Sequence, residues 1–240
     1  MWVVAAFVSA FLLGLYDVAK KRSLSSNAVV PVLLLNTLFA SLLFLPVILD
    51  AELSLGLFAG TPLESARGDL GDHLLVVLKA FITLSSWLFG YYAIKHLPLT
   101  IVGPVNATRP VVVLLGATLL FGERLNLWQW GGVVLTVVSL YLLSRSSRRE
   151  SIDFVRSRYV WALFAAMLLG AVSGLYDKYI ITQHSLSPLF VQSWFGVYQL
   201  AMMSIVMLVV WYPRRTIERF SWRWSIPLIT LFVSAADYFY

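Results

Sequence analysis

The chain has 240 residues, of which 60% are hydrophobic and only 12% charged, with a mean hydropathy of +0.82. A water-soluble domain of this length cannot enclose so much apolar surface in one core, so the composition points to helices that cross a bilayer. The net charge of +6 comes from basic residues between apolar runs, which argues for membrane topology and against nucleic-acid binding, and the lack of cysteine excludes disulfides and thiol chemistry.

The first apolar run, 2–19, contains Gly14-Leu15-Tyr16-Asp17 near its end and is followed by Lys20, Lys21 and Arg22. No basic residue precedes it and no small-x-small site follows it, so it reads as a span and not as a cleaved signal peptide. A second span is expected over 29–49. The connection 50–73 is acidic, with Asp50, Glu52, Glu64, Asp69 and Asp72 against Arg67, and its Gly and Pro content predicts an irregular loop with a short interfacial piece near 53–58. A third span, 74–96, has Lys79 and Lys95 near its ends, both placed to snorkel.

The fourth span, 99–121, carries Gly103, Pro104, Pro110 and Gly116, so a bend or a local break is expected. Interrupted spans of this kind mark transporter sites. Arg109 lies in its middle, where a charge costs roughly 2.5–3.5 kcal/mol on insertion scales. After the turn 122–125, Asn126 and Gln129 have capping-box spacing for a fifth span over 127–143. The stretch 145–158 holds five arginines, Ser144, Ser146 and Ser147 make its start polar, and it is the clearest internal boundary. Spans over 159–182 and 189–211 follow, then Arg214, Arg215, Arg219 and Arg223, then a last apolar run from 224. His73, His96 and His184 sit at predicted span ends, and no two have metal-ligand spacing. No cofactor or catalytic constellation is expected.

Gly-Leu-Tyr-Asp occurs again at Gly174-Leu175-Tyr176-Asp177, about 160 residues later. Ala10/Gly14 and Gly170/Gly174 give each copy a small-residue patch. Each copy is followed by Ser-Leu-Ser and then by a proline, Pro31 or Pro188. Ile82-Thr83-Leu84 likewise matches Ile229-Thr230-Leu231, and on that register Gly90 corresponds to Asp237. These agreements predict a duplicated unit whose second copy lacks an equivalent of residues 94–146. The last run is about 24 Å long at 1.5 Å per residue, short of a full crossing, so a second copy missing about two spans is expected. The resulting division is 1–145, a linker over 146–158, and 159–240.

The segment from Tyr92 through Lys95-His96-Leu97-Pro98 to Arg109-Pro110, then Phe121-Gly122-Glu123-Arg124-Leu125, Gln129-Trp130-Gly131-Gly132 and Leu140 to Ser144, resembles the second half of an EamA repeat of the drug/metabolite transporter superfamily. The resemblance implies an all-α, polytopic transmembrane bundle built from two five-helix repeats, with about eight of the ten spans present here. Many relatives carry Trp-Gly-x-Asn in the first helix where this chain has Gly-Leu-Tyr-Asp, which puts Asp17 and Asp177 at a position the resemblance associates with the central pathway.

Five spans per unit is an odd number, so the units must be inverted about an axis in the membrane plane. Counting basic residues places Lys20 to Arg22, Lys95, the 145–158 arginines and the 214–223 arginines in the cytoplasm, with the N-terminus outside. The resemblance implies the reverse, and the charge bias, consistent over three loops, is preferred.

Asp17 has Lys20 and Lys21 one turn away, an ordinary ion-pair arrangement. Asp177 has Ile181 at that position, which makes it the better candidate for binding a proton or substrate. Arg109 would need an acidic partner or an anionic ligand, and Asp237 lies deep in its run. Tyr16, Tyr176, Trp87, Asn106, Ser85, Ser86, Asn36, Gln192 and Trp194 are candidate cavity-lining residues, although aromatics near span ends also serve as interfacial belts. The expectation is a secondary transporter of a small metabolite or drug-like solute in the cell (inner) membrane, its partners being the bilayer, the solute and a coupling proton. A non-transporting scaffold, a channel and a membrane-embedded enzyme are the alternatives.

Overall fold

The computed structural model of the chain describes the backbone of residues 2–61, 63–65, 67–122, 124–146 and 156–239, and their side chains except at 2–6, 140, 143–146 and 237–239. Among the described residues, nine α-helices follow in order: α1 Trp2–Leu24, α2 Val29–Leu53, α3 Leu70–His96, α4 Leu99–Asn106, α5 Arg109–Phe121, α6 Leu127–Ser146, α7 Arg158–Gln183, α8 Pro188–Val206 and α9 Ser225–Phe239. A π-helical turn, Met207–Trp211, and a 3₁₀ turn, Tyr212–Arg214, extend α8. Among the described residues, five segments are long and apolar enough to cross a membrane, and 127–139 and 225–236 are shorter apolar stretches. Leu119 and Trp128 are 84% and 89% exposed, as expected of side chains that face lipid and not water. The molecule is a polytopic helical membrane protein.

The predicted break in the fourth span is real. α4 stops at Asn106 because Pro110 has no N–H to donate to the Asn106 carbonyl, and α5 restarts with Pro110 in its first turn, where proline is tolerated. Thr108 bridges the gap: its hydroxyl donates to the Val105 carbonyl at 2.7 Å, and its own carbonyl accepts from the Val111 and Val112 amides. Gly122, at φ 67°, ends α5 in the left-handed conformation. Asn126 and Gln129 then form the expected reciprocal cap of α6, with bonds of 2.8 and 2.9 Å.

Between α2 and α3, the described residues of 54–69 are irregular, and no helix forms over 54–58. Asp50 closes α2 instead, accepting from the Leu57 and Phe58 amides at 2.6 and 3.2 Å. Lys79 does not snorkel. It is 7% exposed, with Nζ 4.7 Å from the centre of the Phe195 ring, so α8 supplies a cation–π surface that the third span alone could not reveal.

The chain forms two compact units, one from residues 1–84 and 179–240, the other from 85–178. In the first, α1 and α9 run antiparallel, pinned by Ser23–Ser225 (2.7 Å) at one end and by Ser9 donating to the Ala236 carbonyl (3.0 Å) at the other. α2 and α9 run in the same direction: Asn27 exchanges two hydrogen bonds with the Ser221 backbone, and farther along both helices the Thr230 hydroxyl donates to Asn36 Oδ1 at 2.7 Å. α2 also packs on α8, where Gly196 lets the Ser41 backbone approach closely.

In the second unit, α3 and α7 are antiparallel. Ser86 donates to the Ala166 carbonyl at 2.7 Å, and at the other end His96 stacks on Tyr159 at 4.2 Å. α5 and α7 run in the same direction, with three glycines at their contact. Gly170 faces Arg109, Gly174 faces Val113, and Gly116 faces Leu175.

Candidate functional site

The break in the fourth span sets the position of Arg109. As the first residue of α5 it extends toward α7, and its Nη2 donates to the Gly170 carbonyl at 2.6 Å. A Cβ at 170 would lie 2.7 Å from the guanidinium carbon of Arg109, so a larger residue there would displace the end of that side chain. A helical carbonyl already accepts from the amide four residues on, so this second bond uses its other lone pair. The arrangement gives the mid-span charge a backbone acceptor one turn before Gly174-Leu175-Tyr176-Asp177. The Gly170 carbonyl is an acceptor that no side-chain pattern in the sequence announces.

Asp177 and Tyr176 are both half-buried, and one carboxylate oxygen of Asp177 is shielded from solvent. The Nζ of the adjacent Lys178 lies 5.2 Å over the Phe121 ring. Asn106 is half-buried at the last residue of α4, beside the break, and Trp87 is half-buried on α3. Arg109, Asn106, Trp87, Tyr176 and Asp177 therefore all belong to the 85–178 unit.

Asp17 and Tyr16 belong to the other unit and are differently engaged. Lys20 Nζ lies 2.9 Å from Asp17 Oδ1 and 4.1 Å over the Tyr16 ring, which is the local ion pair that the spacing predicts. The backbone of Asp237 is in α9, but its side chain lies outside the described residues.

Other polar groups in the first unit were less visible in sequence. Asn36, named there, is fully buried; its Oδ1 accepts from Thr230, while Nδ2 has no hydrogen-bond partner among the described residues. Gln199 on α8 is 1% exposed, and its Nε2 is likewise unpartnered there. A lone amide inside an apolar run was the available signal. His73, at the start of α3, is enclosed by Phe190, Trp194 and Tyr198, and its Nδ1 is 2.8 Å from the Tyr198 hydroxyl. Trp194 thus packs on a histidine, while Ser86 is tied to α7 as described. Among the described residues no group of three His, Asp or Glu side chains could hold a metal ion.

A multi-pass helical membrane protein with one span interrupted beside Arg109 is the class these features define. Residues 1–145 match the EamA-like transporter family, and the chain belongs to that family. It is 30% identical over 132 residues to an uncharacterized transporter of Archaeoglobus fulgidus, an alignment covering 55% of this chain and 42% of that protein. It is 36% identical over 80 residues to a probable 4-amino-4-deoxy-L-arabinose-phosphoundecaprenol flippase subunit, ArnE, of Pectobacterium atrosepticum, covering 33% of this chain and 68% of that protein. The chain thus spans less than half the length of the archaeal relative.

Proposed function

We propose that this chain carries out secondary transport of a small metabolite or drug-like solute across the cell (inner) membrane, by alternating access of two inverted repeats at 1–145 and 159–240. The observation that carries the reading is the broken fourth span, whose gap presents Asn106 and aims Arg109 at the Gly170 carbonyl. A broken span exposes backbone groups and a charge at membrane depth, which is how many carriers build a solute site.

The helix pairings support the inverted repeats. A two-fold exchange of repeats requires the first span of each to pair with the third of the other, and the second spans to pair together. α1 with α9, α3 with α7, and α2 with α8 are such pairs. In this reading Asp177 and Asp237 bind the coupling proton or a cationic solute, Arg109 binds an anionic one, and Asp17, Tyr16, Tyr176, Asn106 and Trp87 line the pathway.

The test is counterflow in proteoliposomes with a panel of anionic, neutral and cationic solutes. Saturable exchange is expected, with Asp177→Asn abolishing its dependence on a proton gradient. Full gradient-dependent uptake by Asp177→Asn would remove that residue from the coupling role, and a complete lack of saturable exchange would favour a scaffold. A second reading, movement of a lipid-linked solute, rests on the likeness to the flippase subunit and belongs in the same panel as a leaflet-translocation assay.

A further inference from the structure

Between the end of α1 and the start of α9 the first unit contains a cavity of about 400 Å³, lined by Arg22, Arg223, Trp224, Ser225 and Leu228. That volume falls within the roughly 300–1,000 Å³ of small-molecule sites. It is independent of the transport pathway considered above, and its chemistry is of one kind. Two arginines line it, and among the described residues no acidic one does.

The donors are largely unspent. Arg223 uses Nη1 to bind the Arg22 main-chain carbonyl at 2.8 Å, which ties its side chain to the end of α1. The Arg22 side chain itself is exposed and makes no hydrogen bond or ion pair among the described residues. Arginine donors in a fork match the oxygens of a phosphate group better than a lysine ammonium does. The first turn of α9 begins at Ser225 in the wall, and its amides add positive potential of the same sign. Ser225 is anchored from behind by Ser23, so the floor is fixed. Two apolar groups border the same cavity, Trp224 at 81% exposure and Leu228 at 41%.

We propose that this cavity is a binding site for a phosphate group. A phosphodiester headgroup of an anionic phospholipid and free phosphate share that chemistry. The exposed Trp224 and Leu228 beside the arginines suit the lipid, whose glycerol and upper acyl carbons would lie against them.

The experiment uses the full chain in detergent, with phosphatidylglycerol, phosphatidylcholine or inorganic phosphate added, and reads bound ligand per protein by native mass spectrometry. Phosphatidylglycerol should bind in preference to phosphatidylcholine. Each basic group near a membrane surface changes such binding about five-fold, so Arg22→Gln and Arg223→Gln should each weaken it by about that factor. Arg214→Gln, a basic residue of the same connection outside the cavity, should leave it unchanged. Competition by millimolar inorganic phosphate would identify free phosphate as the ligand, and insensitivity to it would identify the lipid. Equal losses in Arg214→Gln and the cavity variants would overturn the proposal in favour of diffuse surface attraction, as would retention of neither ligand. Should Arg223→Gln fail to fold for want of its bond to Arg22, Arg22→Gln carries the test alone, since its side chain holds nothing in place.

Discussion

Gly170 and Gly174 lie one turn apart on α7, and a methyl group would meet different surroundings at each. At 170 it would lie 2.7 Å from the Arg109 guanidinium carbon; at 174 the nearest atom, Val113 Cγ2, is at an ordinary 3.6 Å. Gly170→Ala should therefore push the guanidinium off its carbonyl and cost about 1–3 kcal/mol, the value of a hydrogen bond to a charged group. Gly174→Ala should be neutral, or stabilising by up to about 1 kcal/mol through helix propensity. Thermal unfolding of the two variants in the same detergent checks the contrast, and equal effects would mean that Arg109 is held elsewhere. The Asn36–Thr230 pair gives a second prediction at this scale. Thr230→Val leaves the fully buried Asn36 Oδ1 without its donor and should destabilise by about 1–3 kcal/mol, while Thr230→Ser, which keeps the hydroxyl, should recover most of that. Both glycines were visible in sequence only as small residues. What each accommodates comes from α5, a helix far away in the chain.

Elements fared unevenly for physical reasons. The α6 cap was legible because both partners, Asn126 and Gln129, lie within one turn and need nothing else. The break between α4 and α5 was legible as a tendency, because a proline removes a donor wherever it stands. Its exact site depends on Thr108 holding the strand of backbone between them. The two Ser-Leu-Ser matches are less regular than they look. α1 and α7 each end two residues before a serine at φ 54°, Ser26 and Ser185, so the helix ends correspond at a spacing of 159 residues, one residue short of the spacing of the Gly-Leu-Tyr-Asp copies and three short of that of the Ser-Leu-Ser ones. The burial of Lys79 against Phe195 was not legible, since it takes a partner helix to make a snorkelling position into a buried one. At this scale Pro110→Ala is the informative change. It restores an N–H that can donate to the Asn106 carbonyl and favours a continuous helix by up to about 3 kcal/mol. Amide exchange over 107–112 should slow by at least about tenfold, and uptake should fall because the gap beside Arg109 closes. Slower exchange with unchanged uptake would separate the break from function.

At the scale of the whole chain, helix directions and charge bear on the same question. If α4 and α5 form one span, α1 and α9 are the first and eighth, α3 and α7 the third and sixth, and both pairs should be antiparallel. α2 with α9 and α5 with α7 join spans of equal parity and should be parallel. All four directions follow from the hydrogen bonds and close contacts of those pairs. Alternating spans in that order predicts Lys20 to Arg22, Lys95, the arginines of 145–158 and those of 214–223 on one side of the membrane, opposite Asp50, Glu64, Asp69 and Asp72. The positive-inside rule then predicts the basic side in the cytoplasm and the Trp2 end of α1 outside. A fluorescent protein joined after residue 150 should fold and fluoresce, and alkaline phosphatase at the same point should stay inactive. The acidic connection should give the opposite pair of results. Active phosphatase at residue 150 would reverse the orientation, placing the Arg22–Arg223 cavity on the outer face and Asp177 near the inner one. Neutralising Lys20, Lys21 and Arg22 together should shift part of the population to that reversed orientation, because these charges flank the first span and bias its insertion most directly. An unchanged reporter pattern would assign the bias to the later arginine connections instead.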